Sequence, residues 1–213
     1  MTAAQAYRWL IKPAVFAVAI TPALWLMAGA LGLAGVSLGV DPVRTLVHEN
    51  GTMALRMLVA TLAITPLRQL TGHSHLLRLR RMLGLFAFFY GLLHLGSWVW
   101  FDQGLDLQMI LSEVVKRPYL LVGLSAVLLM VPLAVTSTAA WQRRLKRRWT
   151  QLHRLTYVVV VLGVWHFWWQ VKKDLREPIA YAVIVAVLLG WRAWQARRRV
   201  TAKSAPATAR GTT

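Results

Sequence analysis

His94, His153 and His166 each fall inside an apolar stretch long enough to cross a bilayer. An imidazole is costly there unless a partner satisfies it, so each histidine marks a functional site by default. The chain has no cysteine, and therefore no C-x-x-C-H attachment for covalent haem, no thiolates for an iron–sulfur cluster and no disulfide. What remains is histidine chemistry in a membrane, and its leading form is axial ligation of a non-covalent b-type haem. Interhelical hydrogen bonding is the plainer role for the same residues.

The elements that must position these histidines are apolar helices. With 213 residues, 57% of them hydrophobic, and 11 tryptophans, the chain is too apolar and too rich in interfacial aromatics for a soluble domain. A crossing takes roughly 20 apolar residues, and that ruler gives six expected spans: about Pro13 to Leu38, Thr52 to Leu70, Met82 to Phe101, Tyr119 to Thr136, Leu152 to Gln170 and Ile179 to Trp194. The expectation is an all-α bundle of six transmembrane helices, with residues 1–196 as the membrane domain and 197–213 as a basic, disordered tail.

The net charge of +18 first looks like a nucleic-acid binder, but the cations sit between and beyond the apolar stretches, beside lipid headgroups. No nucleic-acid partner is expected. Arg8 and Lys12, then Arg68, Arg78, Arg80 and Arg81, then Arg143 to Arg148, then Arg197 to Lys203 alternate with cation-poor connections. The positive-inside rule puts these runs, and both termini, in the cytoplasm. The first apolar run continues to about Val40, which favours a retained span over a cleaved signal peptide.

Depth decides which histidines can share a ligand. His94 lies seven residues before Phe101 and His166 four before Gln170, roughly 10 Å and 6 Å from the outer ends of two helices running in the same direction. They can supply both axial ligands of one haem. His153, thirteen residues before His166 on what reads as one continuous helix, lies about 20 Å nearer the cytoplasm and roughly 140° around the axis, so it cannot bind the same iron. A kink near Gly163 would bring the two faces closer. The third helix offers only Arg80 and Arg81 at the matching depth, and arginine is not an ordinary iron ligand. A second haem, a quinone and a flavin all stay open for His153. Arg80, Arg81 and Arg148 are the cofactor-binding candidates of this inner layer, and Arg56, near the outer end of the second span, is a candidate partner for a haem propionate. His48, His73 and His75 read as solvated loop residues. Trp98, Trp100, Trp165, Trp168 and Trp169 read as an interfacial belt.

Further residues carry a resemblance: Asp41-Pro42-Val43, Ile64-Thr65-Pro66-Leu67, Arg80-Arg81-Met82-Leu83-Gly84-Leu85 followed by His94, Arg117-Pro118-Tyr119-Leu120, Thr136-Ser137, and Arg148-Trp149 followed by Leu152-His153, Tyr157 and His166. From about Trp9 to about Trp194 the chain resembles the MsrQ (YedZ) family, the haem-binding membrane subunits of the bacterial methionine-sulfoxide reductase system, within the ferric-reductase-like transmembrane superfamily. The resemblance implies an inner-membrane protein with one haem b, or two. Its electrons would come from the quinone pool, or from a cytosolic flavin reductase with FMN as a further cofactor, and pass to a periplasmic MsrP-type molybdopterin subunit that reduces methionine sulfoxide in oxidised proteins. It also implies that His94, His153 and His166 are haem-associated. The superfamily's larger oxidases have two histidine pairs, a pattern from which Arg80 and Arg81 depart.

Nothing in the sequence reads as a nicotinamide or FAD domain, for want of a G-x-G-x-x-G after a strand, so a separate electron donor is expected. The alternative from another class is a proton-coupled or ion transporter using the histidines as a relay. The near-absence of intramembrane Asp and Glu disfavours it.

Overall fold

The structure is a computed structural model that describes residues 3–172 and 174–204. Among those residues it holds helices and turns and no strand. The order is α1 (Ala3–Ala6), a π-helical turn (Tyr7–Ile11), α2 (Lys12–Ala30), α3 (Pro42–Thr71), a 3-10 turn (Ser74–Arg78), α4 (Leu79–Ser97), a second π-turn (Trp98–Asp102), α5 (Leu107–Lys116), α6 (Pro118–Val135), α7 (Ala139–Leu145), α8 (Arg147–Leu152), α9 (Leu155–Gln170) and α10 (Arg176–Ser204).

Four stretches are long and apolar enough to cross a membrane: Tyr7–Ala30, Ser74–Asp102, Pro118–Val135 and Arg176–Arg198. The other two expected spans lie in α3 and α9. With 30 residues α3 has the length but carries His48, Glu49 and Arg56, whereas α9 is apolar but has 16 residues, about 24 Å against roughly 30 Å of hydrocarbon. Large apolar side chains point outward, among them Val18 (73% exposed), Leu128 (59%) and Val187 (64%). Such a surface suits lipid rather than water.

Several boundaries differ from the sequence reading, each for a local reason. The first helix ends at Ala30 rather than near Leu38, because Gly32 takes φ +65° and turns the chain in a region open chiefly to glycine. The second begins at Pro42, ten residues early, because Asp41 accepts a hydrogen bond from the Arg44 amide at 3.0 Å and proline suits the first helical position. His153 is not on a continuous helix with His166. The chain turns at His153 and Arg154, between α8 and α9, so the break lies there and not at Gly163. α10 continues through residues 197–204; the disordered tail expected from Ala205 to Thr213 lies outside the described residues.

Buried contacts hold the bundle at points where proline opens a helix. Pro22 interrupts α2, and the buried Tyr90 of α4 enters the gap: its hydroxyl donates to the Ala19 carbonyl at 2.6 Å and accepts the Ala23 amide at 3.2 Å. Pro66 has no N–H, which frees the Leu62 carbonyl one turn earlier. Arg192 of α10 donates to that carbonyl at 2.8 Å and to Thr65 Oγ1 at 3.0 Å. The basic connections gather at one end of the bundle, where Arg78 lies over the Tyr7 ring, Tyr7 stacks with His75, and Gln69 bonds Gln195. The chain's first helical turns and the latter part of α10 thus share that end.

Candidate functional site

His94 on α4 and His166 on α9 meet inside the bundle, their ring centroids 6.0 Å apart and their planes at 78°. Each ring is held the same way. His94 Nδ1 lies 2.8 Å from the Val47 carbonyl of α3, and His166 Nδ1 lies 2.8 Å from the Tyr119 carbonyl of α6, each carbonyl 47 residues before its histidine. A carbonyl can only accept, so Nδ1 carries the proton in both rings and Nε2 keeps its lone pair.

One turn beyond each carbonyl stands a glycine that the imidazole covers. A Cβ on Gly51 would lie 2.8 Å from His94 Nδ1, and a Cβ on Gly123 would lie 2.7 Å from His166 Nδ1. Val47, Gly51 and His94 on one side and Tyr119, Gly123 and His166 on the other are therefore two copies of one device, each built from a pair of adjacent helices. Both histidines line a slot whose walls include Gly51, Ala54, Gly91, Gly123, Ala126 and Gly163. Small residues at these positions let a flat group approach the helix backbones closely.

The same residues limit what the pair can bind. Among the described residues no group of three His, Cys, Asp or Glu could hold a metal ion. The two imidazoles could supply two ligands, and a metal held between them would have to bring the rest with it.

Toward the basic end lies a second and larger cavity of about 690 Å³. Leu58 and Met130 line both it and the histidine slot, so these two side chains form the wall between them. His153 lines this chamber and stacks on Trp149 at 4.0 Å. Its Nε2 lies 3.1 Å from Thr136 Oγ1, while that hydroxyl lies 2.6 Å from the Pro132 carbonyl. The hydroxyl proton goes to the carbonyl, so Oγ1 accepts the Nε2–H of His153 and the lone pair of this ring stays on Nδ1. His153 is thus set up in the opposite sense to His94 and His166.

The arginine candidates separate. Arg80 and Arg81 line the inner chamber, and Arg148 is exposed and does not. Arg56 donates from Nε to Tyr181 Oη at 3.2 Å and does not line the histidine slot. His48 is exposed, as expected, but it stands on α3 at the slot rather than on a loop. His73 and His75 line neither cavity.

Gly51, Gly123 and the two carbonyls were missed, although the shared 47-residue spacing was there to be read. Arg192, Arg78 and Arg154 were missed as well; for Arg192 the signal was Pro66, whose freed carbonyl needs a donor.

Residues 50–164 match the ferric reductase like transmembrane component family. A protein of Xanthomonas campestris pv. campestris strain 8004, named protein-methionine-sulfoxide reductase heme-binding subunit MsrQ, is 56% identical over 80% of this chain and 79% of its own length. The chain belongs to the MsrQ family. The MsrQ of Bordetella pertussis strain Tohama I is 48% identical over 88% of this chain and 92% of its own, and that of Xanthomonas oryzae pv. oryzae strain MAFF 311018 is 55% identical over 80% and 79%. Membership in MsrQ makes this a ferric-reductase-like membrane protein; His94 on α4 lies within the matched residues, and His166 on α9 lies two residues beyond them.

Proposed function

We propose that this chain is a membrane b-type cytochrome that carries electrons across the bacterial inner membrane to a periplasmic, molybdopterin-containing methionine-sulfoxide reductase subunit. Its donors are the quinone pool or a cytosolic flavin reductase, with FMN as a further cofactor. The observation that carries this reading is the pair His94 and His166, each proton-anchored through Nδ1 and each offering Nε2 to one slot. The relatives' printed name, a heme-binding subunit of a protein-methionine-sulfoxide reductase, supports both the cofactor and the class of partner.

The residues fit a haem in three respects. Two neutral imidazoles are a standard axial set; centroids 6.0 Å apart leave room for a metal between two bonds of about 2 Å; and the slot, whose enclosed volume of about 90 Å³ must widen to take a whole macrocycle, is lined by glycines and alanines that put no bulky side chain in the way of a flat ring. When bound, haem supplies one-electron ferric–ferrous chemistry. The Val47 and Tyr119 carbonyls orient the two imidazoles and raise their basicity. The apolar slot favours the less charged state, and the Leu58 and Met130 wall separates it from the inner chamber.

Six helices span the membrane in this reading, with the arginine-rich end in the cytoplasm by the positive-inside rule. The His94 and His166 pair then lies in the outer layer, near the periplasmic acceptor, and His153 lies near the donor. The test is an optical spectrum of the purified protein. A dithionite-reducible, low-spin b-type spectrum is expected and should be lost in both His94→Ala and His166→Ala; full haem content with an unchanged spectrum in either variant overturns the assignment.

A further inference from the structure

The connection between α4 and α6 carries a short helix, α5, with one bare apolar face. Asp106 caps it, accepting the Gln108 and Met109 amides at 2.8 Å and 3.1 Å, and it runs from Leu107 to Lys116. At about 100° per residue, Ile110, Val114, Leu107, Leu111 and Val115 fall in that order within one arc of about 140°. Gln108, Ser112, Lys116 and Glu113 take the opposite side, with Met109 the one apolar side chain among them. Ile110 and Val114 are half-buried, whereas Leu107, Leu111 and Val115 form a stripe that is 67%, 57% and 79% exposed. Ten residues rise about 15 Å, half the hydrocarbon thickness, so α5 is no crossing.

Three observations bear on what covers the stripe. The candidate span before α5 ends at Asp102 and the one after it begins at Pro118, with Arg117 the only residue between α5 and α6. Links this short keep both ends of the helix at the level where two spans leave the hydrocarbon. The π-turn just before α5 carries Trp98, Trp100 and Phe101, the last two exposed, and such aromatics settle at the headgroup layer. One face of a helix about 15 Å long is also small beside the roughly 800 Å² per partner that a stable protein interface takes.

We propose that α5 is a membrane-surface anchor whose partner is the lipid bilayer. It lies in the plane of the interface, with Leu107, Leu111 and Val115 dipped into the acyl boundary and Gln108 and Lys116 toward water. The anchor bears on the histidine site through one residue. Arg117 pairs with Glu113 of α5 at 2.7 Å and donates to Tyr119 Oη at 3.4 Å, and the Tyr119 carbonyl is the group that holds His166. A helix resting on the bilayer thus fixes the level of the first turn of α6, where one of the paired imidazoles is seated. α5 plays this part whichever end of the bundle faces the cytoplasm, and whether or not the paired histidines hold a haem.

The test uses the full chain in phosphatidylcholine nanodiscs. Because the chain has no cysteine of its own, Gln108→Cys, Leu111→Cys, Val115→Cys and Lys116→Cys each take a nitroxide label at one position. Leu128→Cys, on the exposed apolar surface of α6, is the lipid-facing reference. Two positions on each face keep the comparison intact should one variant melt below the wild type. Collision of each label with oxygen, which concentrates among acyl chains, is compared with collision with a water-soluble nickel chelate. Labels at 111 and 115 should favour oxygen, as the label at 128 does, at a depth of about 5–10 Å below the headgroups, while those at 108 and 116 favour nickel. Labels at 111 and 115 as open to nickel as those at 108 and 116 would show a face standing in water, free for a protein partner. Labels there closed to both reagents would show a face covered by protein, a second copy included. Either result overturns the proposal, as does a preference for oxygen on both faces, which would sink the polar side into the hydrocarbon.

Discussion

Gly123→Ala should weaken cofactor binding without adding or removing a polar group. The new methyl would sit 2.7 Å from His166 Nδ1, 2.8 Å from Cε1 and 3.1 Å from Cγ, all inside ordinary van der Waals contact. The methyl hangs on the backbone of α6 and cannot rotate away, so the imidazole must retreat by several tenths of an ångström. Its bond to the Tyr119 carbonyl, now 2.8 Å, then lengthens or breaks. Losing a hydrogen bond at a buried group costs about 1–3 kcal/mol, and losing an outer-shell partner of a metal-bound histidine lowers metal affinity about 10–100-fold. These figures agree, since each tenfold change is about 1.4 kcal/mol. The assay is haem retention against an apo-haemoprotein competitor, with the midpoint potential measured alongside. Gly51→Ala should behave alike, because its Cβ would meet His94 Nδ1 at 2.8 Å. Gly96→Ala and Gly190→Ala are the controls, with open space around the added carbon. If Gly123→Ala retains haem as well as the controls and keeps its potential, the glycine seats do not position the ligands.

Other outcomes follow from the same geometry. His153→Ala should slow haem reduction by quinol or a flavin reductase while leaving dithionite reduction intact; a normal rate with the physiological donor makes His153 a structural residue bonded to Thr136. Alkaline phosphatase fused after Leu145 should be inactive and after Asp106 active, and the reverse pattern would invert both the topology and the direction of transfer. Tyr90→Phe removes the hydroxyl that bridges Ala19 and Ala23 and should cost about 1–3 kcal/mol, seen as a lower melting temperature in detergent; an unchanged melting temperature would show that water or the helix itself closes the gap.

The helical bundle was legible because hydrophobic run length is a direct physical demand of the bilayer. The pairing of His94 with His166 was legible because depth along two parallel helices follows from residue counting alone. Residues that act through backbone contact were hidden: Gly51 and Gly123 matter because a side chain is missing, and a single glycine in a membrane helix has many other uses. Arg192 was hidden for a different reason, since it sits deep in α10 and its partners, Leu62 and Thr65, lie on α3. The helix break beside His153 was hidden because the turn at His153 and Arg154 contains neither glycine nor proline. Arg148 was placed by its neighbourhood to His153 in sequence, but the break between α8 and α9 leaves its side chain exposed.

The cytochrome reading stands or falls on His94 and His166 acting as one axial pair in their near-perpendicular arrangement, with ring planes at 78°. Electron paramagnetic resonance of the oxidised, purified protein tests it most directly. A highly anisotropic low-spin ferric signal is expected, the kind that crossed imidazole planes produce, abolished by His94→Ala and by His166→Ala alike. A high-spin ferric signal from the wild type, or a low-spin signal that survives intact in either variant, would contradict it.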